Sequence, residues 1–213
     1  MIYALIISAI ISYLLGSVNT AIIVSKIFGQ TDIRQKGSGN AGATNTLRVF
    51  GAKAAILVVI GDALKGILAV LLSRFVAQVP FDMENYNYCM YIASVAVVLG
   101  HVFPLYFGFK GGKGIMTSIS VVFVLDWKIG LILVLVFAIF IALFNYVSLA
   151  SCVCALCYPF IVLWLHNGEQ FFFVSALVIA AIAIIKHRTN IQRLLNGTES
   201  KLFKSKSKQQ GVK

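Results

Sequence analysis

The sequence predicts an all-α integral membrane protein with about seven transmembrane helices, its N-terminus outside and its C-terminus in the cytoplasm. Three observations carry this. Mean hydropathy is +0.92 and only 12% of residues are charged, about half the roughly 25% of a soluble domain. Apolar segments occupy residues 2–24, 54–76, 87–107, 114–126, 129–147, 149–165 and 170–186. Finally, 15 of the 18 lysines and arginines fall in segments that would face inward, as the positive-inside rule requires. Arg74 and Lys128 stay outside, near Asp82, Glu84, Asp126 and Glu169. The net charge of +11 therefore reads as membrane topology. A nucleic-acid binder would need a soluble basic face with stacking aromatics.

The first segment is too long for a signal-peptide core and lacks a basic start. Residues 25–53 form the longest loop between spans. It contains Gly37-Ser38-Gly39-Asn40-Ala41-Gly42-Ala43-Thr44-Asn45, then Thr46-Leu47-Arg48. This reads as a binding loop running into a short interfacial helix that carries Arg48, with a flexible tether as the competing reading. Asp62 and Lys65, three apart in the second segment, are either functional or a mutually neutralising buried pair. His101, at the inner end of the third, is either a ligand or an interfacial histidine.

Between the third and fourth segments stands Gly108-Phe109-Lys110-Gly111-Gly112-Lys113-Gly114. Glycines let backbone N–H groups close around an oxyanion and two lysines add charge, so the run suits a phosphate. It is not the soluble phosphate loop, because Phe107 takes that motif's first glycine position and Gly114 its last. The fourth segment leaves 11 residues between Gly114 and Asp126, roughly 17 Å of helix against a hydrocarbon core about 30 Å thick. Either the helix begins inside the loop or the loop dips into the membrane. Both put Lys113 below the lipid surface in a protein-lined cavity.

Cys152, Cys154 and Cys157 share one span and read as small packing residues, with no disulfide or metal implied. His166, on the outer side, receives no role. After the last segment, Lys186-His187-Arg188-Thr189-Asn190 opens a cationic amphipathic stretch in which His187 and Asn190, three apart, share a helix face. Residues 202–213 read as a basic cytoplasmic tail without fixed structure. Residues 1–201 are then one membrane domain.

The glycine-serine loop with Arg48, the run from Gly100-His101-Val102-Phe103-Pro104 to Gly114, and the stretch from Lys186 to Gly197-Thr198-Glu199 together resemble the PlsY family, the bacterial acyl-phosphate:glycerol-3-phosphate acyltransferases. The resemblance covers nearly the whole chain. It implies transfer of a fatty acyl group from acyl phosphate to the 1-hydroxyl of glycerol 3-phosphate, giving lysophosphatidic acid and inorganic phosphate, the first acylation of phospholipid synthesis. It implies no metal, coenzyme A or other cofactor, and a multi-pass location in the bacterial inner membrane with the active site facing the cytoplasm. The partners are the two substrates and membrane lipid, with no nucleic acid and no obligate protein partner. Ser38, Arg48, Lys113, His187 and Asn190 are implied as catalytic. Gly39, Asn40, Gly42, Thr44, Asn45, Gly108, Gly111, Gly112, Gly114 and Ser148, in Val147-Ser148-Leu149, are implied in substrate binding, and Glu199 is structural. Two positions depart from the family: Ala41 stands where proline is common, and Asn145 where an arginine precedes Tyr146.

Elementary chemistry agrees. An acyl phosphate is already activated, so the protein must mainly position two anions and neutralise them, work suited to Arg48 and Lys113. The hydroxyl proton goes to His187 or to the substrate's own phosphate, and both readings stand. A transporter for a phosphorylated solute is the rival class. The sequence has no evident internal repeat, and its polar motifs gather on one side, which argues against it.

Overall fold

The computed structural model describes residues 1–81 and 85–203. Asp82, Glu84 and residues 204–213 of the basic tail lie outside them. Among the described residues there is no strand. The described residues form nine α-helices: α1 (Ile2–Ser17), α2 (Thr20–Gly29), α3 (Ala43–Gln78), α4 (Asn87–Val102), α5 (Ile115–Leu125), α6 (Trp127–Phe144), α7 (Val147–Leu165), α8 (Gln170–Lys186) and α9 (Arg188–Leu195), with 3₁₀ turns at Ile33–Gln35 and Leu105–Phe107.

Five stretches are long and apolar enough to cross a membrane: Ile2–Gly29, Ala43–Gln78, Asn87–Phe107, Trp127–Phe144 and Val147–Leu165. The pair α8 and α9, bent by 57°, makes a sixth. α5, at 11 residues, is too short to cross about 30 Å alone. The described helices thus give five or six full-length spans where seven are expected, and the shortfall is at the fourth segment. A second difference lies in residues 25–53, where helix runs on to Gly29 and resumes at Ala43.

Large apolar side chains such as Leu135, Phe160 and Trp164 face outward, while alanine, glycine and serine fill the contacts between helices. In lipid there is no gain from hiding apolar surface, so close backbone approach and dispersion hold the bundle together. Gly16 of α1 and Gly100 of α4 show how close the approach is: a Cβ on either would strike the other helix's backbone.

α1 ends at an extended Val18, and Asn19 Oδ1 caps α2 by accepting from Ile22 N at 3.2 Å. The break frees carbonyls at membrane depth, where each needs a partner. Lys65 Nζ donates to Gly16 O at 3.1 Å and Val18 O at 2.9 Å, and pairs with Asp62 Oδ1 at 3.0 Å. The buried pair therefore has a structural task.

Asn145 ends α6 with φ 61°, a left-handed conformation that asparagine tolerates better than most residues. Its Oδ1 accepts from Phe203 N at 2.9 Å, its Nδ2 donates to Phe203 O at 2.8 Å, and its carbonyl accepts from Leu202 N at 2.9 Å. Leu202 and Phe203 are therefore held in place, against the expectation of a free tail from residue 202.

Candidate functional site

The first loop is organised from within. Asp32 accepts from Arg34 N at 2.9 Å and starts the 3₁₀ turn, while Gly37 and Gly39 turn the chain at φ 57° and 73°. Asn45, on the first turn of α3, accepts from Ser38 N at 2.8 Å and donates to Lys36 O at 2.9 Å and Ile33 O at 3.3 Å. Its amide is thereby used up in holding the Ser38 loop against the helix, an architectural task where a substrate contact is expected. Ser38 itself is exposed, and Arg48, also exposed, forms no ion pair among the described residues. Gly51, at φ 80° and ψ −175°, kinks α3 and separates the short helix bearing Arg48 from the long span.

Arg34 fastens this loop to the glycine-lysine loop. Its guanidinium is held by Asp32 at 2.6 Å, and Nη1 donates to Phe107 O at 2.8 Å and Lys110 O at 2.9 Å. The glycine-lysine loop in turn doubles back on the end of α4. Gly111 N donates to Val102 O and Gly112 N to His101 O, each at 3.2 Å. This corrects one expectation, because those two N–H groups are spent within the protein and not left to bind an anion. The glycines are required for packing: a Cβ on Gly111 would strike His101 O and Pro104, and one on Gly112 would strike His101 Nε2 and Ala41 O. The loop sets Lys113 in place just before Gly114 turns at φ 81° into α5.

The third element comes from the bend between α8 and α9. His187 occupies the break, and its Nδ1 lies 2.7 Å from Ala183 O. A carbonyl only accepts, so Nδ1 carries the proton and neutral His187 keeps a free lone pair on Nε2. Asn190 Oδ1 accepts from Lys113 Nζ, and its Nδ2 donates to Glu199 Oε1 at 2.8 Å. Ser148 donates to Glu199 Oε1 at 3.0 Å, and Arg193 Nε to Oε2 at 2.7 Å. Burial opposes ionisation of Glu199, but the donors Arg193, Asn190 and Ser148 hold its carboxyl below the usual range. Lys113 goes the other way. Burial, with the nearby cations Arg193 and Arg48, pushes its ammonium down to about 8 against the pull of Glu199.

These elements enclose a cavity of about 470 Å³. Ser38, Gly39, Asn40, Gly42, Thr44, Asn45, Arg48, Gly111, Lys113, Gly114, Ser148, His187, Asn190 and Glu199 all line it; Gly108 and Gly112 do not. Arg193, Thr189, Asp62 and His101 line it as well. Of the residues missed, Arg193 had a signal, since it lies three beyond Asn190 on the same face of α9. Arg34 had none, because the carbonyls it bridges to in the glycine-lysine loop are 73 and 76 residues away. Ile115, Met116, Phe137 and Ser151 are shared with a second, apolar cavity of about 260 Å³ between α5, α6, α7 and α8. That groove is bounded at its far end by Val122, Leu133, Tyr158 and Ile179, part of the main apolar core.

A family model described as glycerol-3-phosphate acyltransferase matches residues 6–197. A glycerol-3-phosphate acyltransferase of Clostridioides difficile (strain 630) is 42% identical over 206 residues, covering 96% of this chain and 98% of the relative. One from Coxiella burnetii (strain RSA 493 / Nine Mile phase I) is 43% identical over 199 residues, covering 93% and 98%. Among solved structures, the chain is similar to PlsY, an integral membrane glycerol 3-phosphate acyltransferase. The glycerol 3-phosphate form aligns with a TM-score of 0.82 and 36% identity, covering 92% of this chain and 94% of that one. The lysophosphatidic acid form gives 0.80 and 35%.

Proposed function

The chain belongs to the glycerol-3-phosphate acyltransferase family, and from that premise we propose that it moves a fatty acyl group from acyl phosphate to the 1-hydroxyl of glycerol 3-phosphate. The hydroxyl oxygen bonds to the acyl carbon, the bond from that carbon to the phosphate oxygen breaks, and lysophosphatidic acid and inorganic phosphate leave. The hydroxyl proton passes to His187 Nε2 or to the departing phosphate.

The observation that carries the proposal is the junction of two cavities. One holds Arg48, Lys113, His187 and Asn190, and the other is an apolar groove that meets it at Ile115, Met116, Phe137 and Ser151. Cations for phosphates and a greasy channel for a tail, side by side, suit an amphiphilic anion. Similar solved structures in glycerol 3-phosphate and lysophosphatidic acid forms fit this substrate and product. Arg48 and Lys113 would hold the phosphates, Asn190 and Glu199 keep Lys113 in place, and His187 meets the hydroxyl. Ser38 adds a donor at the mouth. Supplying either hexadecanoyl phosphate or a hexadecanoyl thioester with glycerol 3-phosphate tests the donor. Lysophosphatidic acid from the phosphate alone is expected, and product from the thioester alone would rule the proposal out.

We also propose the topology: one membrane domain over residues 1–201 with a cytoplasmic tail, N-terminus outside, and seven crossings in which α5 serves as the short one. The charge asymmetry supports it; in this proposal the site faces the cytoplasm from an inner membrane. On a cysteine-free background, single cysteines at Gln35 and Gln209 should be shielded from an impermeant external reagent, whereas one at Glu84 should react. Labelling of Gln35 from outside would reverse the orientation.

A further inference from the structure

Lys65 Nζ sits in a buried knot. It donates to Gly16 O and Val18 O, lies 3.0 Å from Asp62 Oδ1, and approaches His101 Nδ1 to 2.8 Å. An ammonium has three hydrogens and accepts nothing. Two go to the carbonyls, and a 2.8 Å gap between nitrogens has room for one hydrogen, which the lysine supplies. His101 Nδ1 is therefore the acceptor, with Asp62 as countercharge. A neutral imidazole that accepts at Nδ1 carries its proton on Nε2.

That Nε2–H has no acceptor among the described residues, although the His101 side chain is only 4% exposed. His101 lines the cavity, so a ring N–H without a protein acceptor is available there to whatever fills the cavity. Its position says which kind of group that is. Nε2 lies against Gly112, where a Cβ would strike it, and His101 lines the cavity together with Gly111 and Lys113. An N–H in the wall of a cavity that also holds the Lys113 ammonium and is otherwise suited to phosphate is matched by a phosphoryl oxygen.

We infer that His101 Nε2–H donates to a phosphoryl oxygen of bound substrate, with its tautomer set by Lys65 and Asp62. This rests on the substrate class proposed above. The buried pair then has a second task besides closing the α1–α2 break: as positioning residues, Lys65 and Asp62 keep His101 a donor toward the cavity.

Two substitutions separate the ring's two nitrogens. His101→Asn keeps an acceptor where Nδ1 stood but nothing where Nε2 stood, and His101→Gln does the reverse. The readouts are calorimetric binding of glycerol 3-phosphate, the KM for hexadecanoyl phosphate, and the thermal unfolding midpoint in detergent. His101→Asn should weaken one of the two phosphate ligands by about tenfold or more while the midpoint stays near wild type, and His101→Gln should recover much of that loss. Weakening confined to glycerol 3-phosphate assigns the contact to the acceptor, and weakening confined to hexadecanoyl phosphate assigns it to the donor. The inference is overturned if His101→Asn leaves both constants within about twofold of wild type, or if binding falls only in step with stability in both variants. Calorimetry with glycerol 3-phosphate needs no turnover, so failure of the acyl-phosphate proposal, read as absent turnover in wild-type protein that still binds glycerol 3-phosphate, stays distinct.

Discussion

Replacing His187 with glutamine is expected to lower kcat by roughly 10²- to 10⁴-fold, the usual contribution of a positioned proton-transfer group. The reason is geometric. The bend between α8 and α9 puts His187 in the cavity wall, and the bond from Nδ1 to Ala183 O leaves Nε2 free to accept the hydroxyl hydrogen. Glutamine can still form hydrogen bonds there but cannot take a proton near neutral pH. The pH dependence of kcat, with both substrates saturating, distinguishes the two roles. If His187 is the base, the acidic limb disappears in the variant. If the phosphate takes the proton and His187 only orients the hydroxyl, the rate falls but the limb persists. A near-normal rate would contradict both roles.

Lys113→Ala should be the second severe change, lowering kcat/KM for glycerol 3-phosphate by about 10²-fold, as expected for loss of a charged hydrogen-bond partner to a partly buried anion. The same residue predicts a pH effect. Burial brings Lys113 down to about 8 in the free protein. The ammonium that attracts phosphate is present below that pH and lost above it, so kcat/KM should fall as pH rises through about 8. Lys113→Arg keeps the charge at every accessible pH, and whatever activity it retains should lack this alkaline fall. A fall that persists unchanged in Lys113→Arg would show that another group titrates.

The parts of the fold and site that depend on local pattern were legible in the sequence. Hydropathy marked the helices. The three motifs pointed to Ser38, Arg48, Lys113, His187 and Asn190, and the folded chain brings all five to one cavity. What escaped depends on contacts between distant segments. The N–H groups of Gly111 and Gly112 looked free to bind phosphate, but they bond the end of α4, and no local rule shows that a loop will double back on the preceding helix. Arg34 looked like one more cytoplasmic cation until its reach to Phe107 O and Lys110 O was seen. Asn145 seemed only a departure from a family pattern. Its left-handed backbone and paired bonds to Phe203 show it anchoring the segment just after Glu199. Asp62, Lys65 and His101 admitted two readings each because they form one cluster around Lys65, and the carbonyls of Gly16 and Val18 that Lys65 also satisfies are freed by a helix break that hydropathy does not reveal.

The most direct measurement is the release of inorganic phosphate from hexadecanoyl phosphate by purified protein, with and without glycerol 3-phosphate, with lysophosphatidic acid quantified in the same samples. The expected result is release that depends on glycerol 3-phosphate and matches lysophosphatidic acid mole for mole. Equal release without glycerol 3-phosphate, or lysophosphatidic acid formed with no phosphate released, would contradict acyl transfer from acyl phosphate in the cavity that holds Arg48, Lys113 and His187.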